Sequence, residues 1–145
     1  MLSKWLDDER LEHTTLNPPP PSSEFGVHVG TSGVVILGHE NSGIVEIQHT
    51  YSFDGEWTAR FFELGGQLDD GIKDEVSTLL ISLDIRHQII SNKRENFFGI
   101  SMYFLLEKDT SMTDFFNKYY KILEAKRLVS IRVKKLLNRE LQASQ

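Results

Sequence analysis

Two histidine and carboxylate pairs lie near each other in the chain, His39-Glu40 and Glu46-x-x-His49, and these residue types could bind a metal or exchange a proton. Imidazole nitrogens and carboxylate oxygens are usual zinc ligands, and the same pairing serves general acid–base steps. The spacing fits no established metal signature, however, and residues three apart on a strand point to opposite faces of a sheet. A metal-dependent enzyme built on His39, Glu40, Glu46 and His49 is therefore the last of the functional readings, and ordinary surface residues are the simpler one.

Other candidate chemistry is weaker. Gly30-Thr31-Ser32-Gly33 has no lysine at phosphate-loop spacing and precedes a strand, so it reads as a turn. Asp69-Asp70 with Asp74-Glu75 lacks the alternating ligands and closing glutamate of a calcium loop. No Gly-x-Ser-x-Gly elbow occurs, and the absence of cysteine removes thiolate nucleophiles, cysteine zinc sites and disulfides. The expectation is a protein that is not an enzyme, with no catalytic residue, metal or cofactor.

Composition sets the frame for the elements. A chain of 145 residues, 39% hydrophobic and 26% charged, can fill one core, so a single domain over 1–145 is expected. The amino terminus lacks the apolar run of a signal peptide, and the longest apolar runs, 34–37 and 102–106, fall far short of the ~20 residues that cross a bilayer. A cytoplasmic protein without a membrane partner is expected. The net charge of −5 is uneven: residues 111–145 carry eight basic and three acidic residues, the rest eight basic and eighteen acidic. Such asymmetry fits either a polyanionic partner or two surfaces that complement each other within a fold or dimer, and the overall acidity favours the second.

Within this frame residues 1–16 read as an N-terminal helix carrying Leu2, Trp5, Leu6 and Leu11. The prolines from Pro18 to Pro21 make 17–23 a stiff connector; they lack the spacing and flanking charge of a ligand for proline-binding domains. Residues 24–110 form a sheet region with a central helix. Phe25, Val27 and Val29 alternate, 34–37 continue as a buried strand, and Asn41-Ser42-Gly43 turns into a third strand at Ile44, Val45 and Ile47. Asp54-Gly55 could be a hairpin turn, but Phe53, Trp57, Phe61, Leu64 and Leu68 recur at helical spacing and favour a helix over 53–68, closed by Gly65 and Gly66. Residues 70–84 fit a helix through Ile72, Val76 and Leu80, and a strand through Leu79, Ile81, Leu83 and Ile85. Residues 85–91 and 97–106 flank a polar loop and read as a hairpin. The fold class is α+β: an antiparallel sheet of about five strands in the order helix, three strands, helix, two strands, long helix, with helices packed on the sheet.

The last element, 111–145, is opened by Ser111 with Asp114 three residues on. Its helical part, 112–141, would span ~45 Å. The apolar side divides into a broad aromatic face, Phe115, Phe116, Tyr119, Tyr120 and Leu123, and, past Lys126 and Ser130, a narrower stripe of Val129, Val133, Leu136 and Leu137. The first face packs on the sheet. The stripe either continues along it or meets a partner subunit, and the partner or dimer surface is the reading taken. Opposite lie Lys118, Lys121, Arg132, Lys135 and Arg139, the alternative of a nucleic-acid stripe along a phosphate backbone. The aromatics sit on the apolar side, away from these cations where bases would stack, so nucleic acid ranks below a protein partner.

The element order, a tryptophan-bearing first helix, and Leu105-Leu106-Glu107-Lys108-Asp109 before Ser111 and Phe115-Phe116 together resemble small uncharacterised prokaryotic proteins of the type III secretion chaperone-like fold. That resemblance implies a sheet-and-helix module, often a homodimer, that binds segments of other proteins without catalysis and has no catalytic residues to carry over.

Overall fold

The computed structural model describes residues 2–143, without the side chains of residues 66–69, 141 and 143, so that Leu68 and Asp69 of the patterns above lie outside the described side chains. The elements run α1 (Leu2–Asp8), β1 (His13–Thr15), β2 (Ser23–Val29), β3 (Val34–His39), β4 (Ile44–Ser52), α2 (Gly55–Leu64), α3 (Gly66–Ser82), β5 (Arg86–Asn92), β6 (Phe97–Glu107) and α4 (Met112–Ala143). Among the described residues the strands form one six-stranded sheet in the order β1-β2-β3-β4-β6-β5, so the α+β class and the long closing helix stand and the strand number is six rather than five.

The added strand is β1, which pairs antiparallel with β2 through His13↔Val29 and Thr15↔Val27. The proline tract is thus the loop between two paired strands rather than a connector directly after the N-terminal helix. α1 ends early because the chain closes on itself there. The Leu11 amide donates to the Leu6 carbonyl and the Arg10 amide to that of Asp7, with Arg10 left-handed at φ +59°. This is the Schellman closure, usually made by glycine. α3 ends the same way, with Asp84 left-handed and the Ile85 amide bonded to Leu80.

The segment open to two readings in sequence is helical over 55–64 and 66–82. Asp54 caps α2, its Oδ1 accepting from the Trp57 amide at 3.1 Å, so Asp54-Gly55 starts a helix instead of turning a hairpin. Gly65, at φ +59°, separates α2 from α3. In α3, Ile72, Val76 and Leu80 are buried at i, i+4 and i+8, whereas Ile81 is 69% exposed.

The chain forms two compact units, each treated separately: Met1–Thr50 with Tyr103–Leu123, and Tyr51–Met102 with Glu124–Gln145. In the first, the register Val27↔Ile36↔Ile47 lays a buried row across β2, β3 and β4. Each such side chain contributes about 1.5–3 kcal/mol of burial. Leu6 of α1 and Phe115, Tyr119 and Ile122 of α4 are also buried, with Trp5 against Phe115 at 5.7 Å between ring centres.

In the second unit the core is an aromatic stack. The Phe98 ring lies between Phe61, at 3.8 Å and nearly parallel, and Phe53, at 4.8 Å. Tyr51 meets Phe53 edge-on, and its hydroxyl donates to Ser130 Oγ at 2.9 Å. Gly99 is required beside the stack, since a Cβ there would lie 2.8 Å from the Tyr51 carbonyl and from Phe97 Cζ.

α4 corrects the division of its apolar side. Ile122 and Ala125 are fully buried and join Tyr119 to Val129, so one stripe continues past Lys126 and Ser130. The residues expected to offer a partner or dimer surface, Val129, Val133, Leu136 and Leu137, are at most 6% exposed in the single chain and are core. Tyr120, assigned to the buried aromatic face, is instead 45% exposed and donates to Glu9 Oε2 at 2.9 Å. Truncating the ring at the middle of the stack tests this core: Phe98→Ala should lower unfolding stability by about 3–5 kcal/mol in a urea titration, and a loss under about 1 kcal/mol would contradict it.

Candidate functional site

Of the metal and acid–base candidates, His39 and Glu46 come together, but the four do not form one site. His39 Nε2 pairs with Glu46 Oε1 at 3.3 Å, while His49 is buried and its Nδ1 lies 3.0 Å from the Gly33 carbonyl. Glu46 and His49, three apart on β4, fall on opposite faces, and among the described residues no group of three or more His, Cys, Asp or Glu could hold a metal ion. The carboxylates Asp70, Asp74 and Glu75 lie on α3 rather than in a loop.

The basic stripe is divided by its neighbours. In the first unit the ammonium groups of Lys118 and Lys121 lie 4.8 and 5.8 Å from the centre of the Phe104 ring. In the second, Lys126 lies over Tyr51 and Lys134 over Trp57, which Arg60 also approaches at 4.6 Å. Of the five stripe residues, Arg132, Lys135 and Arg139 belong to the second unit, and there they line a groove of about 550 Å³ with Leu79 of α3 and Leu128, Ile131 and Leu136 of α4.

The helical spacing of α4 builds that groove: positions 128, 131, 132, 135 and 139 share one face beside the buried stripe. Ile131 is 42% exposed, and Leu79 and Leu128 are half-buried. Glu75 of α3 accepts from Arg132 at 3.4 Å, and Glu140 from Arg139 at 3.4 Å. An apolar floor edged by cations and interrupted by carboxylates suits an amphipathic surface better than a uniform polyanion. Leu79, Leu128 and Ile131 were not singled out in the sequence; the available signal was an isoleucine set among Arg127, Arg132 and Lys135, off the apolar stripe.

The first unit has its own concavity of about 410 Å³. Trp5, Phe25, Phe115, Val27 and Val45 form its walls, with Lys108 and Thr110 in the turn between β6 and α4. Phe25 is placed by Gly38, its cross-strand partner, where a methyl would collide with the Phe25 ring. Lys108 is held twice: its amide donates to the Gly43 carbonyl at 2.9 Å, and its Nζ donates to Glu24 Oε2 at 2.8 Å.

No family model matches the chain, and no curated protein matches it. Among solved structures, it is similar to the crystal structure of an uncharacterized protein from Methanothermobacter thermautotrophicus, with a TM-score of 0.80 and 18% identity over 93% of this chain and 95% of that one. At that identity the likeness establishes the fold. No helix among the described residues is long and apolar enough to cross a membrane.

The Lys108 hydrogen bond and charge hold the Glu24 carboxyl below the usual carboxylate range. A carboxylate with a lowered folded-state pKa stabilises the fold above its ordinary range, and that contribution disappears as pH falls through the lowered value. Lys108→Met should therefore flatten the acid limb of thermal stability below about pH 5. An unchanged limb would show that the pair contributes nothing.

Proposed function

We propose that this chain is a non-catalytic, cytoplasmic protein-interaction module, chaperone-like in binding a segment of another protein, and that the groove beside Ile131 is its docking surface. The observation that carries this is the groove's chemistry: Leu79, Leu128 and Ile131 as an apolar floor, with Arg132, Lys135 and Arg139 around it. Such a surface suits an amphipathic helix whose apolar side enters the groove and whose acidic side meets the cations. The docking surface differs from the one first expected, because the stripe of Val129, Val133, Leu136 and Leu137 is buried in the protein's own core.

The nucleic-acid alternative is less well supported. Lys118 and Lys121 lie against Phe104, and Glu75 and Glu140 add negative charge beside Arg132 and Arg139, where phosphates would need an unopposed basic track. The homodimer remains a distinct occupant: a second copy in the groove would double the mass seen by light scattering, and Ile131→Asp would return it to the monomer.

Fluorescence anisotropy with a labelled amphipathic helical peptide, leucine on one face and glutamate on the other, tests the proposal against duplex DNA of equal length. Saturable peptide binding is expected, reduced by at least about tenfold in Ile131→Asp and in the double variant Lys135→Glu/Arg139→Glu, matching the cost of removing a central anchor. DNA binding at low salt that is lost in the double variant but unaffected by Ile131→Asp would overturn it in favour of the nucleic-acid reading.

A further inference from the structure

We propose that the pocket of the first unit binds a small amphipathic carboxylate, its ring or short acyl chain between Trp5, Phe25 and Phe115 and its carboxylate on the ammonium of Lys108. The concavity is partly open to solvent, and apolar wall area wetted there is favourably covered by an apolar ligand. A space of about 410 Å³ walled by aromatic rings is far larger than a packing defect. It falls within the roughly 300–1,000 Å³ typical of small-molecule sites.

The lining sets the ligand class. Trp5 and Phe25 are half-buried, so their rings border an open space instead of being enclosed by other side chains, while Phe115 and Val27 are buried at its base. Flat or slender apolar groups fit such walls. Polar groups are few: the hydroxyls of Ser3, Thr15 and Thr110, and Lys108, the one charged residue of the lining among the described residues. A site with a single charge, and that charge positive, selects an anion over a neutral or cationic head.

Lys108 is also preorganised. Its backbone is fixed to Gly43, and one of its three ammonium donors is committed to Glu24, which leaves donors for a second carboxylate. Glu24 is not part of the lining, and as an anion beside the same ammonium it opposes the ligand. The proposal thus predicts opposite effects at two bonded residues: removing the charge of Lys108 weakens binding, and removing that of Glu24 strengthens it. An ion pair with a purely structural role would not move affinity in two directions.

Isothermal titration with decanoate and with 2-naphthoate tests this and separates chain from ring, using 2-naphthalenemethanol as the uncharged comparison. Saturable binding of either carboxylate by the wild type is expected, about fivefold weaker in Lys108→Met and tighter in Glu24→Gln. The alcohol should respond to neither change. Val45→Trp should fill the pocket and abolish binding; should that variant not fold, Thr110→Trp at the rim takes its place. No saturable binding of either carboxylate by the wild type would overturn the proposal, as would binding that persists in both the Lys108→Met and the pocket-filling variants. The groove of the second unit shares no residue with this pocket, so the outcome is independent of the peptide experiment.

Discussion

α4 carries an apolar stripe that must be covered over most of its 32 residues, and the rest of the structure answers to that requirement. A helix gains little from backbone propensity alone and is stable chiefly when its apolar face is buried. In the first unit the buried part of the stripe runs through Phe115, Tyr119 and Ile122, in company with Leu6 of α1 and the row Val27, Ile36 and Ile47. In the second it runs through Ala125, Val129, Val133 and Leu137, in company with the stack of Phe53, Phe98 and Phe61. Where a polar residue, Ser130, interrupts the stripe, the ring of Tyr51 supplies the hydroxyl that bonds it. A surface available to a partner therefore has to lie beside the stripe, which is where Ile131 and the cations of α4 are found.

The same helix accounts for the positive charge of the C-terminal segment. Four of its lysines lie against aromatic rings: Lys118 and Lys121 at Phe104, Lys126 at Tyr51 and Lys134 at Trp57. At partly exposed sites such contacts are worth about 0.5–1 kcal/mol each, and the long side chains cover apolar ring surface while their ammonium groups stay hydrated. Half of the eight basic residues behind the charge asymmetry evident in sequence are thus placed against aromatic rings of the protein itself. Within the second unit three basic residues, Arg132, Lys135 and Arg139, gather around an apolar floor.

Much of the fold was legible because its signals are local. Alternation at Phe25, Val27 and Val29, the polar loop between β5 and β6, and Ser111, whose Oγ accepts from the Asp114 amide at 3.1 Å, each mark an element by themselves. The misses have physical causes. β1 is only three residues, His13-Thr14-Thr15, and is held by pairing with β2 rather than by an apolar pattern. α1 and α3 are closed by Arg10 and Asp84 just past their last residues, left-handed positions without the glycine that usually announces them. Asp54-Gly55 carries a hairpin's composition but serves as a cap, a choice settled by the burial of Phe61 on the helix that follows. The stripe on α4 seemed to divide because Lys126 and Ser130 are polar, and their partner, Tyr51, is 79 residues away from Ser130 in sequence. Of the candidate site, the three cations were legible, while Leu79 joins them only through the packing of α3.

The archaeal structure of the same fold shares 18% of its residues with this chain over nearly the full length of both, so the architecture tolerates wholesale exchange of side chains. Residues that serve packing are constrained by volume and apolarity, whereas those that serve recognition are constrained by what they meet. Ile131 and Lys135 are not of the first kind: both are exposed and neither fills the core. A single exposed isoleucine is unremarkable on a protein surface, and a lysine beside it equally so. Here they converge in one concavity with Leu79 and Leu128, so that apolar area and positive charge lie side by side. In a docking surface of the proposed kind, charge governs partner choice and encounter rate more than affinity, and an apolar floor supplies the binding energy.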